Sequence, residues 1–157
     1  MHVDVKNSDI TLRPATDADQ SAVEQLLASS GLPIDGVKEA FHDFVVAETG
    51  QRIVGVIGIE LCGDDALLRS TAVAPEYAGR GLGRRLVERI IADAGSRGIT
   101  ELYLLTTTAE GYFPTFGFVR TTRDDVPQGI LETKEFVSAC PASATVMRLT
   151  LSSIDKP

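Results

Sequence analysis

The chain has 157 residues, 43% of them hydrophobic, with 15 Lys plus Arg against 22 Asp plus Glu for a formal net charge of −7. That length and apolar content suit one domain with one core, and the acidic balance argues against a nucleic-acid backbone as partner, because phosphate contacts need a basic surface. Two cysteines and two histidines are too few for a disulfide framework or a metal site, and no apolar run approaches the ~20 residues that span a bilayer.

Residues 1–9 are polar and lack the basic start and apolar run of a signal peptide, so a cytoplasmic protein with a short polar tail is expected. Residues 10–13 (ITLR) read as a first strand, ended by Pro14. Thr16 or Asp17 can cap the next helix, whose apolar face is Val23, Leu26 and Leu27. Gly31-Leu32-Pro33 breaks it, and residues 37–44 suggest a shorter second helix in which His42 is a surface or packing residue. Residues 44–48 and 53–62 form two strands joined by the tight turn Thr49-Gly50-Gln51. Gly63-Asp64 then turns the chain, and residues 66–73 (ALLRSTAV) return antiparallel.

The clearest helix follows. Leu82, Leu86, Val87, Ile90, Ile91 and Ala94 recur at helical spacing, with Arg84, Arg85, Glu88, Arg89 and Asp93 opposite and Gly95 or Gly98 at its end. Residues 102–106 (LYLLT) are almost all apolar, as in a sheet centre. A short helix over 109–115, a strand from about Phe118, a polar loop over 121–129 and a last strand over 144–151 complete the chain. Mixed strands and helices predict an α/β or α+β domain built on a single sheet.

Between the strand ending at Val73 and the best helix runs Ala78-Gly79-Arg80-Gly81-Leu82-Gly83-Arg84. Glycines at 79, 81 and 83 let the backbone turn sharply or a ligand approach closely. Their N–H groups stand at a helix N-terminus, where the first donors lack intrahelical partners and the dipole is positive, so the turn suits a phosphate or pyrophosphate. Arg80 and Arg84 can add charge-assisted contacts. The spacing is G-x-G-x-G after an antiparallel hairpin, so neither the dinucleotide fingerprint nor the P-loop fits.

The ordered strings ALLRSTAVAPEYAGRGLGRRLVE (66–88) and LYLLTTTAEGYFPTFGF (102–118) resemble the GNAT superfamily of acyltransferases. The resemblance covers roughly residues 10–151. It implies a strongly twisted mixed sheet of about six to seven strands with helices on both faces, and acetyl-CoA as co-substrate with no metal. Backbone groups of Ala72 and Val73 would bond the pantetheine arm, and the N–H groups from Gly79 through Arg80, Gly81, Leu82 and Gly83, with Arg84, would cradle the pyrophosphate. Ala78 replaces the Gln or Arg that usually begins the loop, and Thr106 replaces an Asn but can still cap or bond a carbonyl. Phe113 stands where many relatives carry the tyrosine that protonates the leaving thiolate. The adjacent Tyr112, one residue along a helix, would point about 100° away.

For the acceptor side, Arg69, Tyr112 and Phe113 are expected to line the substrate, with the Val73 N–H as oxyanion donor. Glu60, or water, would act as base in place of a glutamate that some relatives carry on the 66–73 strand. A two-residue hairpin turn pairs Glu60 with Leu67 and puts it on the face of Arg69; a three-residue turn pairs it with Leu68 and does not. Arg69 then either binds substrate or pairs with Glu60. The string ALLRSTAV, the Tyr112-Phe113 pair and residues 127–147 are similar to the arsenic-resistance N-acetyltransferases. That similarity implies a small-molecule primary amine as acceptor, an amino acid with an anionic oxyacid group of the arsinothricin or phosphinothricin kind. The family implies a possible homodimer. The alternative is an acyl-CoA sensor without turnover, for which Phe113 and Ala78 speak.

Overall fold

Seven strands form one sheet in the order β1-β2-β3-β4-β5-β7-β6 in the computed structural model, which describes residues 9–32, 34, 36–107, 109–133, 136–137 and 144–151. The strands are β1 (Thr11–Pro14), β2 (Val45–Thr49), β3 (Arg52–Cys62), β4 (Asp65–Val73), β5 (Glu101–Thr106), β6 (Val119–Thr121) and β7 (Thr145–Thr150). The helices are α1 (Gln20–Ser29), α2 (Val37–Ala40), α3 (Leu82–Ser96) and α4 (Gln128–Leu131). Every neighbouring pair is antiparallel except β4 and β5. The mixed sheet with flanking helices agrees with the expected fold class.

The apolar stripe of α3 (Leu82, Leu86, Val87, Ile90 and Ala94) is buried, and Leu82 and Leu86 lie against Gly55 of β3. On the opposite face Leu67, Tyr103, Val126, Ile130, Phe136 and Val146 form a second cluster, so the segment that includes α4 covers the side of the sheet away from α3. Side chains alternate along a strand, which places Glu60, Leu67 and Arg69 on the α4 face and Gly55, Leu68 and Val73 on the α3 face. Pro14 is tolerated because β1 is an edge strand. Arg85 and Arg89 of α3 donate to the carbonyls of Ile10 and Leu12 there (3.1 and 3.2 Å).

Several expected elements differ. The helix over 37–44 is one turn, α2, followed by a 3₁₀ turn at Phe41–Asp43. The expected helix over 109–115 is absent; the chain turns through 110–112 and makes a single 3₁₀ turn, Phe113–Phe116. Pro114 supplies no amide to a helix ladder, and Gly117 in the left-handed region (φ 102°) stops the turn. The polar stretch 121–129 holds a 3₁₀ turn (Arg123–Asp125) and the start of α4. The last strand, expected over 144–151, is β7, and it lies between β5 and β6.

Candidate active site

The site begins where β4 leaves β5. Their parallel pairing spans only Asp65–Leu67 against Glu101–Tyr103, after which the strands diverge. On its other edge β4 pairs with β3 through a register shift: Gly58 faces Arg69, yet Val56 faces Ala72, so β4 carries one extra residue. Ser70 lies in that bulge at φ 61°, the one non-glycine at positive φ among the described residues. An L-residue there costs about 1 kcal/mol or more. The bulge turns the end of β4 away from β5, and a wedge opens between them.

Within the wedge, the amide of Ala74 donates to the Val54 carbonyl (2.8 Å). Bonded residues alternate along an antiparallel edge, so the Val73 amide faces the opening, whereas the polar groups of Ala72 turn toward β3. Of the two backbone positions expected to meet a ligand, the register presents Val73.

At the mouth stands the start of α3. Gly79 and Gly81 are left-handed (φ 77° and 83°), and no side chain caps the helix. The bond from the Arg85 amide to the Gly81 carbonyl (3.1 Å) is the first of the helical ladder, so the amides of Leu82, Gly83 and Arg84 precede it. Leu82 is buried and anchors the helix, leaving only its backbone for a ligand. The Arg84 guanidinium lies over the Phe116 ring (4.6 Å) and reaches Thr115 (3.3 Å) and Glu88 (3.4 Å). Arg80 lies over Tyr77 (5.4 Å). Arg84 thereby ties the head of α3 to the 113–116 turn, and both cations stay beside the glycine turn.

Tyr112 and Phe113 meet edge-on, with ring centroids 5.3 Å apart, yet differ in burial. Phe113 is buried against Phe118 (centroids 5.7 Å apart). Tyr112, 38% exposed, brings its hydroxyl to 3.6 Å from the point where a Cβ on Gly83 would stand, a point that is 4.0 Å from the Val73 side chain. Burial raises its phenol pKa, with a smaller opposing effect of Arg84, so the hydroxyl is protonated at neutral pH. Thr106 at the end of β5 accepts the Ala109 amide (2.9 Å), closing the turn that stands where a helix was expected. Glu110 accepts the Thr145 hydroxyl (3.0 Å), which ties the same turn to β7.

On the α4 face the hairpin takes the two-residue turn, with Cys62 opposite Asp65 and Glu60 opposite Leu67. Glu60 and Arg69 therefore share a face, and Oε1 lies 3.6 Å from Nη1. The Arg69 side chain is wholly buried and its Nε donates to the Ser70 hydroxyl oxygen (2.9 Å). Of the two roles expected for Arg69, its contacts are those of the ion pair. The site thus has two sides. Glycine turn, Val73 and Tyr112 belong to the α3 face, and Glu60 and Arg69 belong to the α4 face at the level where the wedge begins. Ser70 escaped the sequence reading, and nothing in its residue type marks a bulge.

A model of the acetyltransferase (GNAT) domain matches residues 40–120. An uncharacterized N-acetyltransferase of Chlorobaculum tepidum is 30% identical over 131 residues, 78% of this chain and 84% of that protein. The amino-acid acetyltransferase of Ralstonia nicotianae is 43% identical over 56 residues, which are 36% of this chain but only 12% of that protein. Among solved structures, the N-acetylglutamate synthase of Neisseria gonorrhoeae, complexed with coenzyme A and N-acetyl-glutamate, superposes with a TM-score of 0.78. The match has 22% identity and covers 91% of this chain and 35% of that one, a likeness of fold alone. The domain match and the relative of similar length make this chain a member of the GNAT acetyltransferase family, an acetyl-CoA-dependent N-acetyltransferase.

Proposed function

We propose that this enzyme acetylates the α-amine of a small amino acid that carries a further anionic group, by direct attack on the thioester of acetyl-CoA. The observation that carries this reading is the uncapped N-terminus of α3 opening beside a wedge whose other face presents the Glu60–Arg69 pair. The amides from Gly79 to Gly83, with Arg80 and Arg84 nearby, hold the pyrophosphate. The Val73 amide, turned into the wedge, donates to the carbonyl oxygen as negative charge develops there. Tyr112 and Phe113 shape the cofactor side of the opening.

Proton economy favours an α-amine. At pH 7 a group of pKa near 8 costs about 1.4 kcal/mol to deprotonate, and a lysine-like amine nearer 4.6 kcal/mol. A carboxylate next to a guanidinium is a weak base. Glu60 therefore draws the ammonium toward the wedge and passes its proton out through water. Phe113 cannot donate a proton, but a thiol of pKa about 8.5 leaves as thiolate for only roughly 2 kcal/mol at pH 7.

The amino-acid acceptor draws support from the named chemistry of the Ralstonia relative and from the acetylated amino acid in the gonococcal structure. The acetylated glutamate of the gonococcal structure also favours an acidic or oxyacid-bearing amino acid such as phosphinothricin, with Arg69, paired to Glu60, behind the acceptor face. The test is thiol release from acetyl-CoA by the purified protein, with glutamate, aspartate, phosphinothricin, neutral amino acids, peptides and aminoglycosides as acceptors and coenzyme A affinity measured in parallel. Release with acidic amino acids is expected. Tight coenzyme A binding with release from peptides alone, or from no amine, overturns the proposal.

A further inference from the structure

We propose that Ser70 is a positioning residue for the acceptor step: its left-handed backbone and its hydroxyl together hold the Arg69 guanidinium against Glu60 where β4 parts from β5. This rests on the reading that the acceptor amine meets Glu60. Ser70 lies outside the glycine turn and outside the 102–118 motif, and it has no role in cofactor binding in that reading.

Three observations converge on this residue. It occupies the extra position of the β4 bulge, between the Arg69–Gly58 and Ala72–Val56 pairs. It takes φ 61°, a conformation that glycine would adopt without strain and that asparagine tolerates better than serine. Its side chain is buried and accepts the Arg69 Nε–H at 2.9 Å. A glycine would serve the bulge better, so the hydroxyl is what distinguishes serine here. With Nε held, the far end of the planar guanidinium is aimed across the ladder, 3.6 Å from Glu60. Without that hydroxyl the buried Nε–H loses this bond, and the guanidinium rotates about its last torsions. Such a rotation draws the guanidinium away from Glu60, whose carboxylate then loses the orientation that serves the amine.

The geometry separates this role from a structural one. Ser70→Gly relieves the backbone and removes the hydroxyl, and Ser70→Asn keeps both a left-handed backbone and a side-chain oxygen. Ser70→Gly should melt within a few degrees of the wild-type protein, since relief of the backbone offsets the lost hydrogen bond, and bind coenzyme A within about twofold of it. Its acceptor kcat/KM should nevertheless fall ten- to hundredfold, mainly in kcat, since a displaced group costs rate rather than affinity. Ser70→Asn should recover most of that loss. In a Glu60→Gln background the Ser70→Gly change should have little further effect, because coupled residues are not additive. Arginine Nε–H exchange, read by NMR with Arg69→Lys for assignment, should show one slowly exchanging signal that Ser70→Gly abolishes, independently of turnover. Wild-type acceptor kinetics in Ser70→Gly, a full additive loss in the Glu60→Gln background, or an unchanged Nε–H signal would each overturn the assignment. Failure of the functional reading shows in the wild type, which would release no thiol with any amine. Failure of the Ser70 role shows only in the variants.

Discussion

The Tyr112 hydroxyl points at Gly83, ending 3.6 Å from where a Cβ would stand on that glycine, while Phe113 beside it is buried in the core. Neighbouring aromatics therefore serve different environments. Tyr112→Phe should raise KM for acetyl-CoA a few-fold and leave acceptor KM unmoved, because the hydroxyl lies on the α3 face. Phe113→Tyr should add no rate. It should lower stability by about 1–3 kcal/mol, the penalty for burying a hydroxyl without a partner. Steady-state kinetics against each substrate, with a melting curve, check both.

At Gly81, φ is 83° and the residue stands at the N-cap of α3. Gly81→Asp strains the turn by about 1–2 kcal/mol and sets a carboxylate where the pyrophosphate would bind. Coenzyme A affinity should fall a hundredfold or more, with folding largely kept. Calorimetric titration measures it, and unchanged turnover in this variant would contradict the placing of the cofactor.

Removing one partner of the Glu60–Arg69 pair leaves a charge in a buried place. Arg69→Met should lower stability by on the order of 1 kcal/mol, since the Glu60 it leaves is only partly buried, whereas Glu60→Gln deprives the wholly buried guanidinium of this carboxylate and should cost more. Glu60→Gln is nearly isosteric and should bind coenzyme A normally while losing about a hundredfold in turnover. Denaturant melts and thiol-release assays separate the two effects.

Asp19 provides the acid limit of stability. It accepts from both Arg13 Nη atoms (2.8 and 2.9 Å) and from the Thr16 amide (2.8 Å). Arg13 above all holds its carboxyl pKa down to about 2, from an ordinary 3.8. A depressed carboxyl favours the folded state above its ordinary pKa and loses that contribution as the pH falls from 3.8 toward about 2. Asp19→Asn should therefore destabilise at pH 7, by on the order of 1 kcal/mol after allowance for solvent screening. The difference from wild type should vanish near pH 2, which melts across pH would show.

Asp65 behaves in the opposite sense. Burial first, then Glu101 opposite it in the β4–β5 register and Asp64 beside it, raises its carboxyl pKa. A raised carboxyl opposes folding when ionised, so stability from this residue grows as the pH falls through its folded value. Asp65→Asn should raise the melting temperature at pH 7 and bring no gain at acid pH.

Much of the architecture was legible because its signals are local. The apolar stripe of α3 follows a 3.6-residue period, whereas two hairpin registers stayed open until the structure showed the two-residue Gly63-Asp64 turn that puts Glu60 on the face of Arg69. The glycine turn was legible too, because a helix start without a capping side chain but rich in glycine asks for a ligand. The turn near Tyr112 was misread as helix although Gly111, Pro114 and Gly117 all argue against one.

By itself the sequence determined the order of the strands, the helices α1 and α3, the glycine turn at the head of α3 and the chemistry available at each position, since periodicity and residue type act over a few neighbours. Only the tertiary structure decided that β7 lies between β5 and β6, that Ser70 bulges, that Val73 rather than Ala72 faces the wedge, and that Tyr112 reaches Gly83. Each of these depends on which strand pairs with which and in what register, and that choice is set by burial summed over the whole sheet rather than by the residues at the site.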